Sequence, residues 1–85
     1  MHYVYFLKSL KDNELYIGSC NDLKARFAKH NLGRVPSTKN RRPFKLVYYE
    51  AYASEEEARH REHNLKLRAR ALRQLLLRIR KSINS

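Results

Sequence analysis

Glu62 is the residue that first calls for a chemical explanation. In the segment SEEEARHREHNLKL, which starts at Ser54, a helical period places Ala58, Glu62, Leu65 and Ala69 on one stripe. Such a stripe should face a core, where an ionised carboxylate is costly unless it is paired or bound to a metal. Arg26, Arg59 or another cation could supply the pairing, and spacing alone favours such an ion pair over a metal. Glu55, Glu56 and Glu57 need no such account, because acids in a first helical turn complement the helix dipole. Tyrosines come next: there are six, and no tryptophan. Tyr3, Tyr5 and Leu7 share one face of a predicted strand, and Tyr16 and Gly18 share a face of the next. A phenol, with its pKa near ~10, is a poor base unless a cation or metal stabilises the phenolate. Arg26 and His30 stand four residues apart, on one helical face. Arginine suits a scissile phosphate through its planar two-donor fork, and histidine exchanges protons near neutral pH. The plain alternatives are core tyrosines and a solvated helix face.

Other chemistries have less support. His60 and His63, in HREH, are three apart, but the H-E-x-x-H order of zinc helices is absent. Cys20 is the single cysteine, so it has no disulfide partner within the chain. As a nucleophile it would need a nearby histidine base. No glycine-rich phosphate loop is present.

These residues must be positioned by a small scaffold. The 85 residues predict a single domain over 1–85. HYVYFLK, residues 2–8, is aromatic and β-branched and predicts a strand. Residues 15–19 predict its hairpin partner, in which Gly18 marks either a close approach or a bulge. Asn21 or Asp22 can cap a helix carrying Leu23 and Phe27, and Gly33 can end it with a left-handed residue. Pro36 and Pro43 bound a loop. FKLVYYEAYA, residues 44–53, predicts the third strand, with Tyr48, Tyr49 and Tyr52 as core residues with polar tips. Ser54 and Glu57 form a capping-box signature for a helix to about Lys66. A last basic helix is expected at about 68–83, with Leu65, Leu72, Leu76, Ile79 and Ile83 on its apolar stripe. The expected class is α+β: a small, three-stranded, mainly antiparallel sheet flanked by helices in the order ββαβαα.

The charge balance points to a partner. Lysine plus arginine number 19 against 8 acids, a net charge of +11. Every acid lies at or before Glu62, and Arg68, Arg70 and Arg73 open an acid-free, basic C-terminal segment. Lys39, Arg41, Arg42 and Lys45 form a second cluster in TKNRRPFK. Such a footprint invites a nucleic acid. No apolar run approaches the ~20 residues that span a bilayer, and no signal-peptide pattern opens the chain. The expectation is a soluble, cytoplasmic, nucleic-acid-binding protein with no membrane partner.

The ordered motifs YVY (3–5), YIG (16–18), NDLKARFAKHN, TKNRRPFKLVYYE and EARHREHNLKL together resemble the GIY-YIG endonuclease superfamily over roughly residues 2–70. The likeness is closest to its small single-domain bacterial branch, itself similar to the N-terminal nuclease module of the excision-repair incision subunit. The resemblance implies a divalent-metal-dependent endonuclease that hydrolyses DNA phosphodiesters and leaves a 5′-phosphate and a 3′-hydroxyl, with DNA repair among its possible settings. It implies catalytic roles for Tyr5, Tyr16, Arg26, His30 and Glu62, with Glu62 holding a single Mg²⁺ or Mn²⁺. Lys39, Arg41, Arg42, Lys45, Arg68, Arg70 and Arg73 are the expected nucleic-acid contacts. Tyr3 and Val4 depart from the Gly-Ile of the family name, and Cys20 stands where Thr or Ser is frequent. The alternative is a catalytically silent nucleic-acid-binding module using the same basic surface. Single-stranded, duplex or branched DNA, RNA, and the oligomeric state stay open.

Overall fold

The computed structural model describes every residue from Met1 to Ser85. Strand β1 (His2–Ser9) lies between β2 (Leu15–Cys20) and β3 (Phe44–Tyr52), antiparallel to both, in the order β2-β1-β3. Helix α1 (Leu23–Asn31) covers one face of the sheet. Helices α2 (Glu55–Leu67), α3 (Ala69–Arg78) and α4 (Arg80–Asn84) follow β3. The architecture is α+β, as the periodicities predict.

The central strand explains why β1 is an unbroken apolar run. A strand covered on both faces has no solvent side to alternate with. Val4 and Phe6 point into a core with Ala58, Leu65, Leu75 and Ile79 from α2 to the turn after α3. Tyr5 and Leu7 point the other way, into a core with Cys20 and Phe44, flanked by Leu23 and Phe27 of α1. Val4, Phe6, Leu7, Ala58 and Leu65 are fully buried.

The register between β1 and β2 is continuous, with Tyr5 opposite Gly18 and Leu7 opposite Tyr16. Gly18 therefore marks no bulge. A bulge occurs instead between β1 and β3, where Phe6 faces Tyr48 while Leu7 faces Leu46. The extra residue, Val47, shifts the parity of β3: Leu46 packs on the α1 core, while Val47 and Tyr48 both pack on the opposite one. Tyr48 and Tyr52 thus reach the α2 side. Tyr49 is left 52% exposed on the α1 side, which corrects its expected place in the core.

Local chemistry sets most boundaries. Asp22 is the cap of α1 and accepts from the Ala25 amide at 3.0 Å. Gly33, with φ +76°, closes that helix. Ser54 caps α2 by accepting from the Glu57 amide at 3.2 Å. The expected single C-terminal helix is two. Arg68 is extended (φ −109°, ψ 98°), so α3 starts with a new phase, and Ile79 leaves helical geometry before α4. The phase change puts Leu75, absent from the predicted stripe, in the core and leaves Leu72 and Leu76 half-buried. It also leaves Ala69 exposed, off the stripe that carries Ala58 and Leu65.

Candidate functional site: a phenol–imidazole chain and an open carboxylate

Tyr5 lies across Gly18. A Cβ at that glycine would stand 2.5 Å from the Tyr5 hydroxyl and 2.6 Å from the ring carbon bearing it. The glycine is there for a packed neighbour, and the neighbour is one of the candidate tyrosines. In this position the Tyr5 hydroxyl meets His30 Nε2 at 2.9 Å. The other imidazole nitrogen, Nδ1, meets Thr38 Oγ1 at 2.8 Å. Thr38 in turn donates to the Val35 carbonyl over a long 3.4 Å. The directions follow. Thr38 gives its proton to Val35 and accepts from His30 Nδ1–H, so Nε2 accepts the Tyr5 proton. Tyr5 is 2% exposed, and His30 and Thr38 are fully buried.

Both titratable groups of this chain are held neutral. Burial pushes the Tyr5 phenol far up, and the neighbouring Tyr16 adds to the effect. Burial lowers the His30 imidazole, helped by the charge of Arg26. Tyr16 packs against both rings, with centroids 6.3 Å from Tyr5 and 5.0 Å from His30. With both His30 nitrogens engaged, Tyr16 meets His30 by a ring contact and not by a hydrogen bond. Arg26 sits exposed one turn before His30, and its charge is felt at Tyr5, Cys20 and His30.

Glu62 approaches from the other side of β2. Ser19 points to the α2 face, and its hydroxyl donates to Glu62 Oε1 at 2.7 Å. Lys66, one turn along α2, donates to Oε2 at 2.7 Å. Lys66 is thus the cation that the sequence left unspecified. Burial would raise the Glu62 carboxyl, but the bonds from Lys66 and Ser19 outweigh it and hold the group below its ordinary value. The Glu62 side chain is 20% exposed and that of Lys66 47%. The carboxylate is ionised, half-open, and balanced by an exposed ammonium in place of a bidentate guanidinium. One such carboxylate beside a hydroxyl fits a hard cation that keeps most of its water and shares a substrate phosphate, as Mg²⁺ does. Tyr5, Tyr16 and His30 are therefore in mutual contact, with Arg26 beside them, while Glu62 lies across the β2 edge, near enough for its charge to reach Tyr5.

Cys20 is 6% exposed, and burial raises its thiol, so it lacks the thiolate character of a nucleophile. The predicted basic contacts differ in their surroundings. Lys39 is exposed, and Arg42 is exposed with its guanidinium lying against Gly33. Arg41 is tied to Asp12 at 2.9 Å and stands over the Phe44 ring. Lys45 turns to the other side of the sheet, where it meets the Ser85 carbonyl. Arg68 bonds Asn64 Oδ1 at 3.3 Å, while Arg70 and Arg73 are exposed.

Sequence reasoning missed two groups. Thr38 carries no signal beyond its place in TKNRR. Glu50 gathers four donors: Tyr48 at 2.5 Å, Tyr52 at 2.6 Å, and Arg61 through Nε at 2.9 Å and Nη2 at 3.0 Å. It fastens β3 to α2 one residue before Glu62. The available signal was the Y-x-E-x-Y alternation over Tyr48, Glu50 and Tyr52.

Comparison with known proteins agrees with this scaffold. The profile of the GIY-YIG catalytic domain matches residues 1–75. A UPF0213 protein of Staphylococcus haemolyticus is 48% identical over 66 residues, covering 76% of this chain and 79% of that protein. A UPF0213 protein of Staphylococcus epidermidis is 46% identical over the same length and coverage. The solution NMR structure of a UPF0213 protein from Bacillus halodurans is similar in fold, with a TM-score of 0.54 and 40% identity, covering 88% of this chain and 81% of that one. The chain therefore belongs to the GIY-YIG family of nuclease domains.

Proposed function

We propose that this protein is a divalent-metal-dependent DNA endonuclease whose residues 1–85 work as one nuclease domain. The observation that carries the reading is the joint placement of a neutral Tyr5–His30–Thr38 chain, Tyr16 against its rings, and an open carboxylate at Glu62. Glu62 would hold Mg²⁺ or Mn²⁺ in place of the Lys66 ammonium. When bound, that ion supplies charge neutralisation at the scissile phosphate and at the leaving oxygen.

The other steps belong to the chain. Tyr5 is kept protonated by burial and donates a hydrogen bond to His30 Nε2. That leaves Tyr16, half-buried and in ring contact with both, as the base: having released its own hydroxyl proton to solvent, its oxygen takes one from the attacking water. Tyr5 and His30 fix the position of the Tyr16 ring. Arg26, exposed beside them, stabilises charge on the phosphate oxygens. Lys39, Arg42, Arg70 and Arg73 are the exposed cations that draw the nucleic acid in. The substrate could equally be RNA on this chemistry, so both belong in the test.

The test is cleavage of single-stranded, duplex and branched DNA, and of RNA, with Mg²⁺ or Mn²⁺ and with chelator. Wild type should cut a DNA member of the panel only with metal. Tyr16→Phe should cut about 100-fold or more slowly, the low end of a general-base contribution. Binding without cleavage across the panel would replace the enzyme with the silent binding module.

A further inference from the structure

A second feature of the α1 face has no part in the phosphate chemistry. Between β3 and the N-terminal half of α1 lies an open cleft of about 530 Å³. Its apolar walls include Tyr3, Phe27 and Tyr49, and Asn21, Asp22 and Lys24 stand at its polar end. The Tyr3 and Tyr49 rings stand 5.9 Å apart at 67°, so they make a corner and not a flat wall. Tyr49 is 52% exposed although it sits on a strand between half-buried neighbours. The bulge at Val47 is what turns it to this side, away from the Glu50 network that engages Tyr48 and Tyr52.

The cleft lies on the same face of the sheet as the candidate site. Tyr3 is two residues before Tyr5 on the same face of β1, about 7 Å along the strand. Phe27 follows Arg26 on α1, and Asn21 follows Cys20 at the end of β2. Tyr3 pairs with Cys20 and Leu7 with Tyr16, so the corner stands about 13 Å along the strands from the level of Tyr16, within reach of a short stretch of nucleic acid held over Arg26. The chemistry of the lining fits a flat aromatic ligand with a hydrogen-bonding edge. The rings offer stacking, Asn21 offers an amide with both donor and acceptor, and Asp22 uses only Oδ1 for its cap. Lys24 adds a charge suited to an adjoining phosphate.

We propose that the Tyr3–Phe27–Tyr49 cleft is a nucleobase subsite that takes one unstacked base of the nucleic acid held at the candidate site. This rests on the nuclease reading for its neighbour, but its recognition is separate chemistry. Stacking on aromatic side chains tolerates any base, whereas the Asn21 and Asp22 edge favours bases that present amino or imino donors. A base paired and stacked inside a duplex cannot enter the corner, so a substrate must present that base free or release it on binding.

The test is an NMR titration, in chelator so that nothing is cut, with deoxycytidine 5′-monophosphate and with 2-deoxyribose 5-phosphate. The nucleotide should shift the ring signals of Tyr3, Phe27 and Tyr49 saturably, and the sugar phosphate should not. Tyr49→Ala should weaken the nucleotide at least about fivefold, the low end of one base stacked on an aromatic ring, and Tyr49→Phe should restore it. Equal responses to the two probes, silent ring signals, or unchanged affinity in Tyr49→Ala would each overturn the subsite. The two readings separate cleanly. Ring shifts in a protein that cuts no substrate would retain the subsite and remove the nuclease. Cleavage with rings indifferent to nucleotide would do the reverse.

Discussion

Two glutamates on the α2 side of the sheet show how one residue type can serve opposite ends. Glu50 is saturated: two phenols and two nitrogens on one edge of a guanidinium donate to its oxygens. Burial alone would raise its carboxyl, but these bonds outweigh it and hold it at about 2. Its partners answer in kind, with the Tyr48 and Tyr52 phenols pushed up to about 12 by burial and then by the Glu50 bond. Glu62 has one hydroxyl and one exposed ammonium. A carboxylate with four fixed donors has no lone pair left for a ligand. A carboxylate whose cation is an exposed lysine, held by a single bond, can exchange that cation. The first fastens α2 to β3. The second is presented by the helix so fastened.

The contrast can be broken most severely at Glu62. Glu62→Gln should lower metal-dependent cleavage by at least about 100-fold, the scale of losing one preorganised electrostatic group. Its melting temperature should stay near wild type, because Lys66 and Ser19 remain solvated or re-bonded. Comparing cleavage rates with a thermal melt checks both halves.

Next in size is Gly18→Ala. The new methyl cannot coexist with the Tyr5 ring where it stands. Displacing a buried aromatic costs about 1–3 kcal/mol, and it parts Tyr5 from His30. Denaturation should show that loss, and cleavage of the still-folded protein should fall as well. Full activity in a destabilised Gly18→Ala protein would show that the Tyr5–His30 bond is structural only.

Glu50→Gln should invert the Glu62 result. Its pair with Arg61 is only partly buried, so the loss is set at about 1–3 kcal/mol, below that of a fully buried pair. Cleavage at a temperature where the variant is folded should be near normal. Acid sharpens the comparison. Because the Glu50 carboxyl is lowered from 4.5 to about 2 on folding, its stabilisation is present above pH ~4.5 and is lost as pH falls towards 2. Denaturation across that window should show a falling stability that flattens in Glu50→Gln.

The smallest effect concerns the basic loop. Arg42→Ala should make the salt dependence of DNA binding shallower by about one unit of slope, since one fewer counterion is released. Arg41→Ala should change the slope less, because Arg41 is already neutralised by Asp12.

Much of this was legible in the sequence, and the limits have physical reasons. Alternation in β1 and β2 put Tyr5, Tyr16 and Gly18 on one face, and the i, i+4 spacing put Arg26 and His30 on one helix. These are local periodicities, written in neighbouring residues. The place of Glu62 beside the core stripe was legible for the same reason, though its half-open setting and its partner Ser19 were not. Thr38, the Glu50 network and the parity shift at Val47 depend on contacts between distant segments. Nothing in RVPSTKNRRP says that its threonine reaches an imidazole eight residues earlier. The break at Arg68 was hidden because Leu65 and Leu72 fit one continuous stripe, while the real stripe restarts and buries Leu75.

The central claim is that Glu62, and not Glu50, is the carboxylate open to a divalent cation. Paramagnetic broadening of amide signals by Mn²⁺ tests it without substrate. The account predicts saturable broadening centred on Ser19, Glu62 and Lys66 that disappears in Glu62→Gln and persists in Glu50→Gln. Broadening centred on Glu50 and Arg61, or unchanged in Glu62→Gln, would contradict it.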